Sequence, residues 1–532
     1  MTNDEAQAPP SSVIQASSLT RHSGFDIRHF ALPLIIVLAA ALRLYGLGDQ
    51  SLWFDEAASV RIVRQDFRAM LASIRDDERI PPLHYLILYA WVRVFGPAEW
   101  SVRLPSALAG IGAVWLLYLF ARRLFGAVPA LVAALLLAVA PFQIQYAQEA
   151  RAYSLMLLLS LGSCLLFVRL LQTEKPRARF DAAYVLVSAA ALYSHLYALF
   201  TLIAQAMSYA IEWLRPDKPL FGARRWMVAQ IAIFSLFLPW LPIAIRWARS
   251  VGSGFWVAPM TARDLFGTYA TYAGGSLLAL LLLMIAAVGV FAQRRNIRGV
   301  SLMLALAVLP VVVPVIVSIL TKPTFTPRYG IVAPAALYAL VGCGVAALRN
   351  GAVQSVIAIA LAALSLQGMR AIPEKPDWRG LVAHVGRVAR PGDYVIMTPR
   401  RSTYLYDYYA THADIRRKGF DSGAIPLSVP LEPGVTVWFI YEPGTFSPTS
   451  ILQRGGWYVR SRQAFRHLAV LELENNEAPI DPAPAAPATT PASAPVATPR
   501  NVSQKMRPTR EAMIPANSPH EVLPRVPRGR RG

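Results

Sequence analysis

The sequence predicts a polytopic α-helical membrane protein of about 11–13 membrane helices, ending in a small external α/β domain and a disordered tail. Three observations carry this. Of the 532 residues, 55% are apolar and only 16% charged, and mean hydropathy is +0.40; an ordinary soluble domain carries about 25% charged residues. Apolar runs recur from Phe30 to about residue 369, many reaching the roughly 18–20 residues that a helix needs to cross hydrocarbon. Beyond Ile372 the pattern turns to that of a water-soluble fold. A soluble enzyme is excluded by this composition.

Residues 1–28 are polar and read as a cytoplasmic N-terminal segment. The run Phe30–Leu47 contains Arg43 and lacks a small-residue cleavage site, so it reads as a first span and not as a cleaved signal peptide. Further apolar stretches follow at 82–97, 104–121, 126–142, 153–171, 182–200, 201–214, 227–245, 276–292, 300–320, 329–348 and 352–369, so that 29–370 forms one membrane domain. Basic residues orient it: Arg169, Lys175, Arg177 and Arg179 mark one cytoplasmic loop, Arg215, Lys218, Arg224 and Arg225 a second, and Arg294, Arg295 and Arg298 a third. Counting crossings from these loops puts 48–81, 143–151, 247–275 and the C-terminal part outside. Three apolar segments then lie between two external points, where an even number of crossings is required. One of them spans incompletely, and 82–97, bounded by Pro81-Pro82 and Gly96-Pro97, is the shortest.

Residues 371–477 read as a periplasmic α/β domain. Asp377 is placed to cap a helix carrying Leu381, Val385 and Val388, Pro391-Gly392-Asp393 turns into a strand at Tyr394–Met397, and strands follow at Val435–Tyr441 and Leu468–Leu473. Residues 478–532 hold 12 prolines among 55 residues and no hydrophobic periodicity, a composition that cannot bury a core. Eight basic against three acidic residues give this tail a charge of +5, suited to loose contact with an anionic surface or simply to solvation.

Lys and Arg total 52 against 31 Asp and Glu, a net +21. In a membrane protein this reads first as topology signal and contact with anionic lipid, and no nucleic-acid motif accompanies it. Cys164 and Cys343 both lie in apolar segments, so neither a disulfide framework nor a metal-type spacing is present. No metal and no cofactor are expected.

Four clusters carry possible chemistry. Leu52-Trp53-Phe54-Asp55-Glu56-Ala57 sets two carboxylates beside aromatic residues just past the first span, where ionised groups are costly unless used; a base for a sugar or lipid hydroxyl needs such a carboxylate, while an acidic pair at a helix N-terminus needs no further role. Arg79-Ile80-Pro81-Pro82-Leu83-His84-Tyr85 fixes the backbone with two prolines and offers His84 as a proton shuttle, a phosphate ligand or a structural polar residue. Gln145 to Tyr153 places Glu149, Arg151 and Tyr153 at the external mouth of a span, where Arg151 can bind phosphate or pair with Glu149. Lys322-Pro323-Thr324-Phe325-Thr326-Pro327-Arg328-Tyr329 puts two cations at another external span end, against the positive-inside tendency, which favours an anionic ligand. The topology brings all four clusters to one membrane face. A carboxylate pair with several cations is what sugar transfer from a lipid phosphate requires: a base for the acceptor and positive charge for the departing phosphate.

The order Phe54-Asp55-Glu56-Ala57, Pro81-Pro82-Leu83-His84-Tyr85, Arg103-Leu104-Pro105-Ser106-Ala107-Leu108, Glu149-Ala150-Arg151-Ala152-Tyr153-Ser154, Ser194-His195-Leu196-Tyr197-Ala198 and Pro327-Arg328-Tyr329 resembles bacterial glycosyltransferases of the C-type fold. Within them it is similar to the protein O-mannosyltransferase-like group, glycosyltransferase family 39, alongside the lipid A aminoarabinose transferase and lipopolysaccharide core galacturonosyltransferases. The resemblance covers about residues 30–370, and Asp377-Trp378-Arg379-Gly380 with Pro391-Gly392-Asp393 extends it into the C-terminal domain. It implies inverting transfer of a hexose or pentose from a polyprenyl phosphate donor to an envelope lipid, glycan or protein acceptor, by a multi-pass protein of the bacterial inner membrane with its site in the periplasm. Catalysis then falls to Asp55 with Glu56 beside it, and the carrier phosphate to Arg151, Arg328 and Tyr329. His84, Tyr85, Glu149, Tyr153 and His195 line the substrates; His84 stands where many members have tyrosine. Trp53, Phe54 and Tyr153 are placed to stack on a sugar or to belong to an interfacial aromatic belt.

A different class is a polytopic transporter or flippase of a lipid-linked envelope precursor, but no internal repeat is visible and a long first external loop with an acidic pair is unlike that pattern. A non-catalytic envelope scaffold would need neither the carboxylate pair nor the external arginines.

Overall fold

The computed structural model describes residues 27–78, 80–173, 178–215, 220–250, 261–321, 323–411, 415–420, 435–444 and 457–475. Expectations for residues 1–26, for the tail from residue 478, and for Arg79 and Lys322 lie outside the described residues.

The apolar runs form helices. α1 (Ile27–Leu44) leads to three short helices, α2 (Phe54–Arg64), α3 (Phe67–Ala72) and α4 (Leu83–Phe95), and then to the long α5 (Glu99–Phe125). α6 (Ala127–Val139), α7 (Pro141–Ala147), α8 (Tyr153–Gln172), α9 (Ala178–Ser194) and α10 (Leu199–Trp213) follow. The bundle continues through α11 (Ala223–Phe237), α12 (Leu241–Ser250), α13 (Ala262–Ala273), α14 (Ser276–Ala292), α15 (Ile297–Leu320), α16 (Val332–Ala346) and α17 (Gly351–Gln367).

Among the described residues α5, α8, α15 and the stretch Gly351–Ala371 are each long and apolar enough to cross a membrane, and three bent pairs raise the number to as many as seven. The sequence counts more apolar segments than this because several are broken or short. Pro141 splits α6 from α7 at 60°, Pro239 stands in the 70° break between α11 and α12, and Gly274-Gly275 separates α13 from α14 at 90°. α4 has 13 residues, about 20 Å of helix against a hydrocarbon core of about 30 Å.

α16 is buried nearly all round, as befits a central helix. Its close neighbours are admitted by glycine: a Cβ at Gly344 would meet the Ile285 carbonyl oxygen of α14 at 2.1 Å, and one at Gly289 the Leu340 carbonyl oxygen at the same distance. Arg43 is buried in α1 and donates to the Leu137 and Ala138 carbonyls at 2.9 and 2.8 Å. These are oxygens left free where α6 stops at Pro141, so a cation serves the negative end of that helix.

The C-terminal domain comprises α18 (Trp378–Val388), β1 (Tyr394–Met397), α19 (Thr403–Tyr409), β2 (Arg416–Gly419), β3 (Val437–Tyr441), β4 (Trp457–Phe465) and β5 (Leu468–Asn475). Asp377 caps α18 by accepting from the Gly380 amide at 2.9 Å. Leu381 and Val385 are buried, whereas Val388, expected on the same face, is exposed at the helix end. The sheet order is β2-β1-β3-β5-β4. β1 pairs in parallel with β2 and β3, with Val395 opposite Trp438, while β5 runs antiparallel to both β3 and β4.

Ile396, Phe439 and Leu471 belong to a core of this domain's own, and a second core is shared with the membrane domain. Trp378, Leu381, Val385 and Tyr406 share one apolar cluster with Val60 and Val63 of α2 and Tyr85 and Leu88 of α4. Burial of that shared surface holds the segment 52–64 against the domain, and that segment carries the carboxylate pair.

Candidate active site

Asp55 and Glu56 stand in the first turn of α2, where negative charge complements the helix dipole. They have different surroundings. Glu56 is fully buried and its two oxygens accept from five donors: Arg103 Nε at 2.8 Å and Nη2 at 2.9 Å, Lys375 Nζ at 2.9 Å, and the amides of Ala150 at 3.0 Å and Trp53 at 3.2 Å. Burial alone would raise its pKa, but Lys375 and Arg103 outweigh it and hold the carboxyl at about 2. Such a carboxylate has no lone pair left for a substrate; it joins four segments. Arg103 completes the joint by donating to the carbonyls of Leu47, Gln50 and Ser51, each at 2.9 Å.

Asp55 turns the other way. Its Oδ2 lies 3.2 Å from Nη1 of Arg328. Arg328 belongs to the 3-10 turn Pro327–Gly330, which is anchored by Tyr272 donating to the Pro327 carbonyl at 2.9 Å. Gly330 is required for that approach, since a Cβ there would stand 2.4 Å from the Tyr272 hydroxyl oxygen. On the opposite flank the Arg151 guanidinium reaches the Ser59 hydroxyl at 3.4 Å and the Asp55 carbonyl at 3.5 Å. Burial opposes the charge on Arg151, but Asp55 and the neighbouring Tyr153 and Tyr85 outweigh it and hold its pKa well above the ordinary value. Arg151 and Arg328 flank one ring, that of Tyr153, at 5.9 and 5.7 Å from its centre.

The two arginines line two different cavities. The first, about 90 Å³, is lined by His84, Tyr85, Arg151, Tyr153, His195 and Tyr329, six residues singled out from the sequence and drawn from four separate segments. His84 Nε2 donates to the Ala150 carbonyl at 3.2 Å, and His195 Nδ1 accepts from the Tyr197 amide at 3.2 Å. The second cavity, about 660 Å³, is lined by Trp53, Tyr146, Glu149, Arg328, Arg370 and Lys375 among others. Glu149 is buried with no hydrogen-bond partner for Oε2 among the described residues. Burial first, then Glu56 and Asp55, raise its pKa to about 7 against the opposing pull of Lys375 and Arg328. Arg328 thus lines the second cavity and Arg151 the first, and Asp55, which lines neither, contacts both arginines.

Two residues of this site were not assigned from the sequence. Arg103 stands within a motif that the sequence displays, but nothing local says that its partner is Glu56. Lys375 lies in the linker before α18, flanked by Pro373 and Pro376, and a lysine in a polar linker reads as solvated until the linker is seen to cross the site. Among the described residues no three His, Cys, Asp or Glu side chains group closely enough to hold a metal ion.

Residues 79–243 match the profile of the dolichyl-phosphate-mannose-protein mannosyltransferase family. Two putative mannosyltransferases of Bacillus subtilis (strain 168), YycA and YkcB, are 33% identical over 149 residues and 31% over 148. Those alignments take in 26% of this chain and span about a fifth of each relative, 21% and 20%. Among solved structures, ArnT from Cupriavidus metallidurans matches with a TM-score of 0.55 both in its apo state and bound to undecaprenyl phosphate, at 13% and 12% identity, over 83% of this chain and 97% of that one. The oligosaccharyltransferase of Archaeoglobus fulgidus matches in its apo form with a TM-score of 0.51 at 12% identity, over 74% and 64% of the two chains. At such identities the likeness is one of fold. The chain accordingly has the C-type glycosyltransferase fold in a membrane-spanning helical bundle, and its residues 79–243 are similar to the dolichyl-phosphate-mannose-protein mannosyltransferase family.

Proposed function

We propose that the protein is a membrane glycosyltransferase that moves a sugar from a polyprenyl phosphate-linked donor to a hydroxyl of an envelope lipid, glycan or protein acceptor at the periplasmic face of the bacterial inner membrane. The observation that carries this reading is the Asp55–Arg328 pair at 3.2 Å, with Arg328 lining a cavity beside Glu149 and Arg151, which also contacts Asp55, lining another. Inverting transfer needs the acceptor and the leaving phosphate on opposite sides of the anomeric carbon; in this reading the cavity lined by Arg151 takes the phosphate and the one lined by Glu149 admits the acceptor. The donor phosphate rests against Arg151, with Arg328 and Tyr329 near. Asp55 takes the acceptor proton as the acceptor oxygen bonds to the anomeric carbon; the bond from that carbon to the phosphate oxygen breaks, and its electron pair stays on the phosphate, where the guanidinium groups stabilise it. Glu56 acts by holding Asp55 in place.

The carrier class is supported by undecaprenyl phosphate bound in the Cupriavidus metallidurans protein of the same fold, and the orientation by the basic loops at 169–179, 215–225 and 294–298. The test uses membranes supplied with labelled polyprenyl phosphate sugars. Label is expected to pass into an envelope fraction with the parent protein and to stay on the carrier with Asp55→Asn; equal movement with both would reject the reading.

A further inference from the structure

The first cavity holds two histidines whose ring nitrogens are assigned by the backbone around them. At His195, Nδ1 accepts from the Tyr197 amide. An amide only donates, so Nδ1 carries no proton and the neutral ring bears its hydrogen on Nε2. At His84 the neighbour is the Ala150 carbonyl, 3.2 Å from Nε2. A carbonyl only accepts, so here too the hydrogen is on Nε2; burial beside the Arg151 guanidinium keeps the ring neutral and leaves Nδ1 a bare acceptor. Both rings line the cavity, and among the described residues neither His195 Nε2 nor His84 Nδ1 has a hydrogen-bond partner. The His195 ring is fixed among Tyr153, Tyr197 and Tyr329, with centres 5.7, 5.6 and 5.2 Å away. One cavity therefore presents a donor from one histidine and an acceptor from the other.

Resting on the donor reading above, we propose that this cavity recognises the junction between phosphate and sugar: His195 Nε2–H donates to a phosphate oxygen, and His84 Nδ1 accepts from a hydroxyl of the sugar to be transferred. An ionised phosphate ester has only acceptors, so it can satisfy His195 and Arg151 but not a bare imidazole nitrogen. A sugar hydroxyl can donate, and it is the group of such a ligand that meets the need of His84. The spent carrier, having lost its sugar, then leaves His84 without a partner, which favours its exchange for a loaded donor.

The experiment measures undecaprenyl phosphate binding to the full chain in detergent at pH 8, where the phosphate monoester is ionised, by the fluorescence of a protein whose Trp247 lines the cavity. His195→Asn keeps an oxygen to accept from the Tyr197 amide, as asparagine does at such positions, but its amide nitrogen stops short of the place of Nε2. His195→Gln carries an N–H to that place and gives up the backbone contact. His84→Gln keeps a donor for the Ala150 carbonyl and removes Nδ1. The expected results are a ten- to hundredfold weaker affinity for His195→Asn, the loss typical of a hydrogen bond to a charged group, a smaller loss for His195→Gln, and parental affinity for His84→Gln. Melting curves identify any variant that does not fold, and His195→Ser, which keeps a capping oxygen, then replaces His195→Asn. Parental binding by His195→Asn, or an equal loss in His84→Gln, would overturn the proposal. No binding by the parent itself would remove the donor reading beneath it, an outcome distinct from either.

Discussion

Glu56 and Arg103 form a buried two-pronged pair, Nε to Oε1 at 2.8 Å and Nη2 to Oε2 at 2.9 Å, and this pair, more than Asp55, fixes where α2 begins. Each partner carries further bonds, Glu56 to Lys375 and two amides and Arg103 to three carbonyls. One ion pair thereby ties the loop after α1, the start of α2, α5, the loop before α8 and the linker to the C-terminal domain. Asp55 is aimed at Arg328 because its neighbour in sequence is immobilised.

Glu56→Gln leaves Arg103 and Lys375 without their counter-charge, and breaking a buried pair by removing one partner costs about 3–5 kcal/mol. The variant is expected to fold in lower yield and to melt earlier. A double-mutant cycle with Arg103→Met should be strongly non-additive, because both substitutions disable the same joint. Additive losses in the cycle would mean that the two side chains stabilise the protein independently.

Asp55→Asn keeps the shape of the side chain and removes its charge. Transfer should fall by about a hundredfold or more, the scale of a lost general base, while the melting temperature and the binding of undecaprenyl phosphate stay near parental values. Activity at the parental rate would take Asp55 out of the chemistry and favour the transporter reading of the same fold.

Arg151→Ala should weaken use of the lipid phosphate donor more than it weakens folding, and Arg151→Lys should recover part of the charge without the planar two-pronged geometry. The ordering expected in donor KM is parent, then Lys, then Ala. Donor affinity unchanged in the alanine variant would assign Arg151 to holding Ser59 and the Asp55 backbone.

Truncation after Glu477 should leave membrane insertion and turnover nearly intact, because the residues removed have the composition of a solvated segment and contain none of the site residues. A well-expressed truncation that loses activity would show that the basic tail captures substrate.

The site was legible in the sequence wherever an ionisable residue stood at the end of an apolar run, because such a position is costly without a partner or a task. Asp55, Arg151 and Arg328 stand out on that ground, and five of the residues named beside them line one cavity with Arg151. What joins them was not legible. The bonds from Glu56 to Arg103 and Lys375 span 47 and 319 positions, and no local pattern encodes a contact at that separation. In the C-terminal domain Tyr394–Met397 was readable as an apolar strand, whereas Arg416–Gly419 has no apolar residue to mark it and owes its extended form to pairing with β1. Trp457–Phe465 likewise lies at the sheet edge with its side chains from Tyr458 to Gln463 exposed, so its periodicity does not report a buried face. α19 was missed for another reason: Thr403-Tyr404-Leu405-Tyr406-Asp407-Tyr408-Tyr409 is aromatic enough to read as strand, and it is a helix because Leu405 and Tyr406 pack on α2 and α18.

Glu149 gives the protein a stability that depends on pH in a direction opposite to that of a salt-bridged carboxylate. Its pKa rises from an ordinary 4.5 to about 7 in the folded chain. Below pH about 4.5 the carboxyl is protonated in both folded and unfolded chains and contributes no difference. Between 4.5 and 7 the folded chain holds the proton that the unfolded chain has released, so stability declines as pH rises through this window, and above 7 the folded chain bears the full cost of a buried charge, of the order of 3 kcal/mol. Glu149→Gln removes that titration. The variant should therefore melt at the same temperature as the parent near pH 5 and at a higher temperature near pH 8, compared at one scan rate in one detergent. A variant less stable than the parent at pH 8 would mean that the ionised carboxylate is favourably held there by Lys375 and Arg328, and that the side chain facing the second cavity is charged when the acceptor arrives.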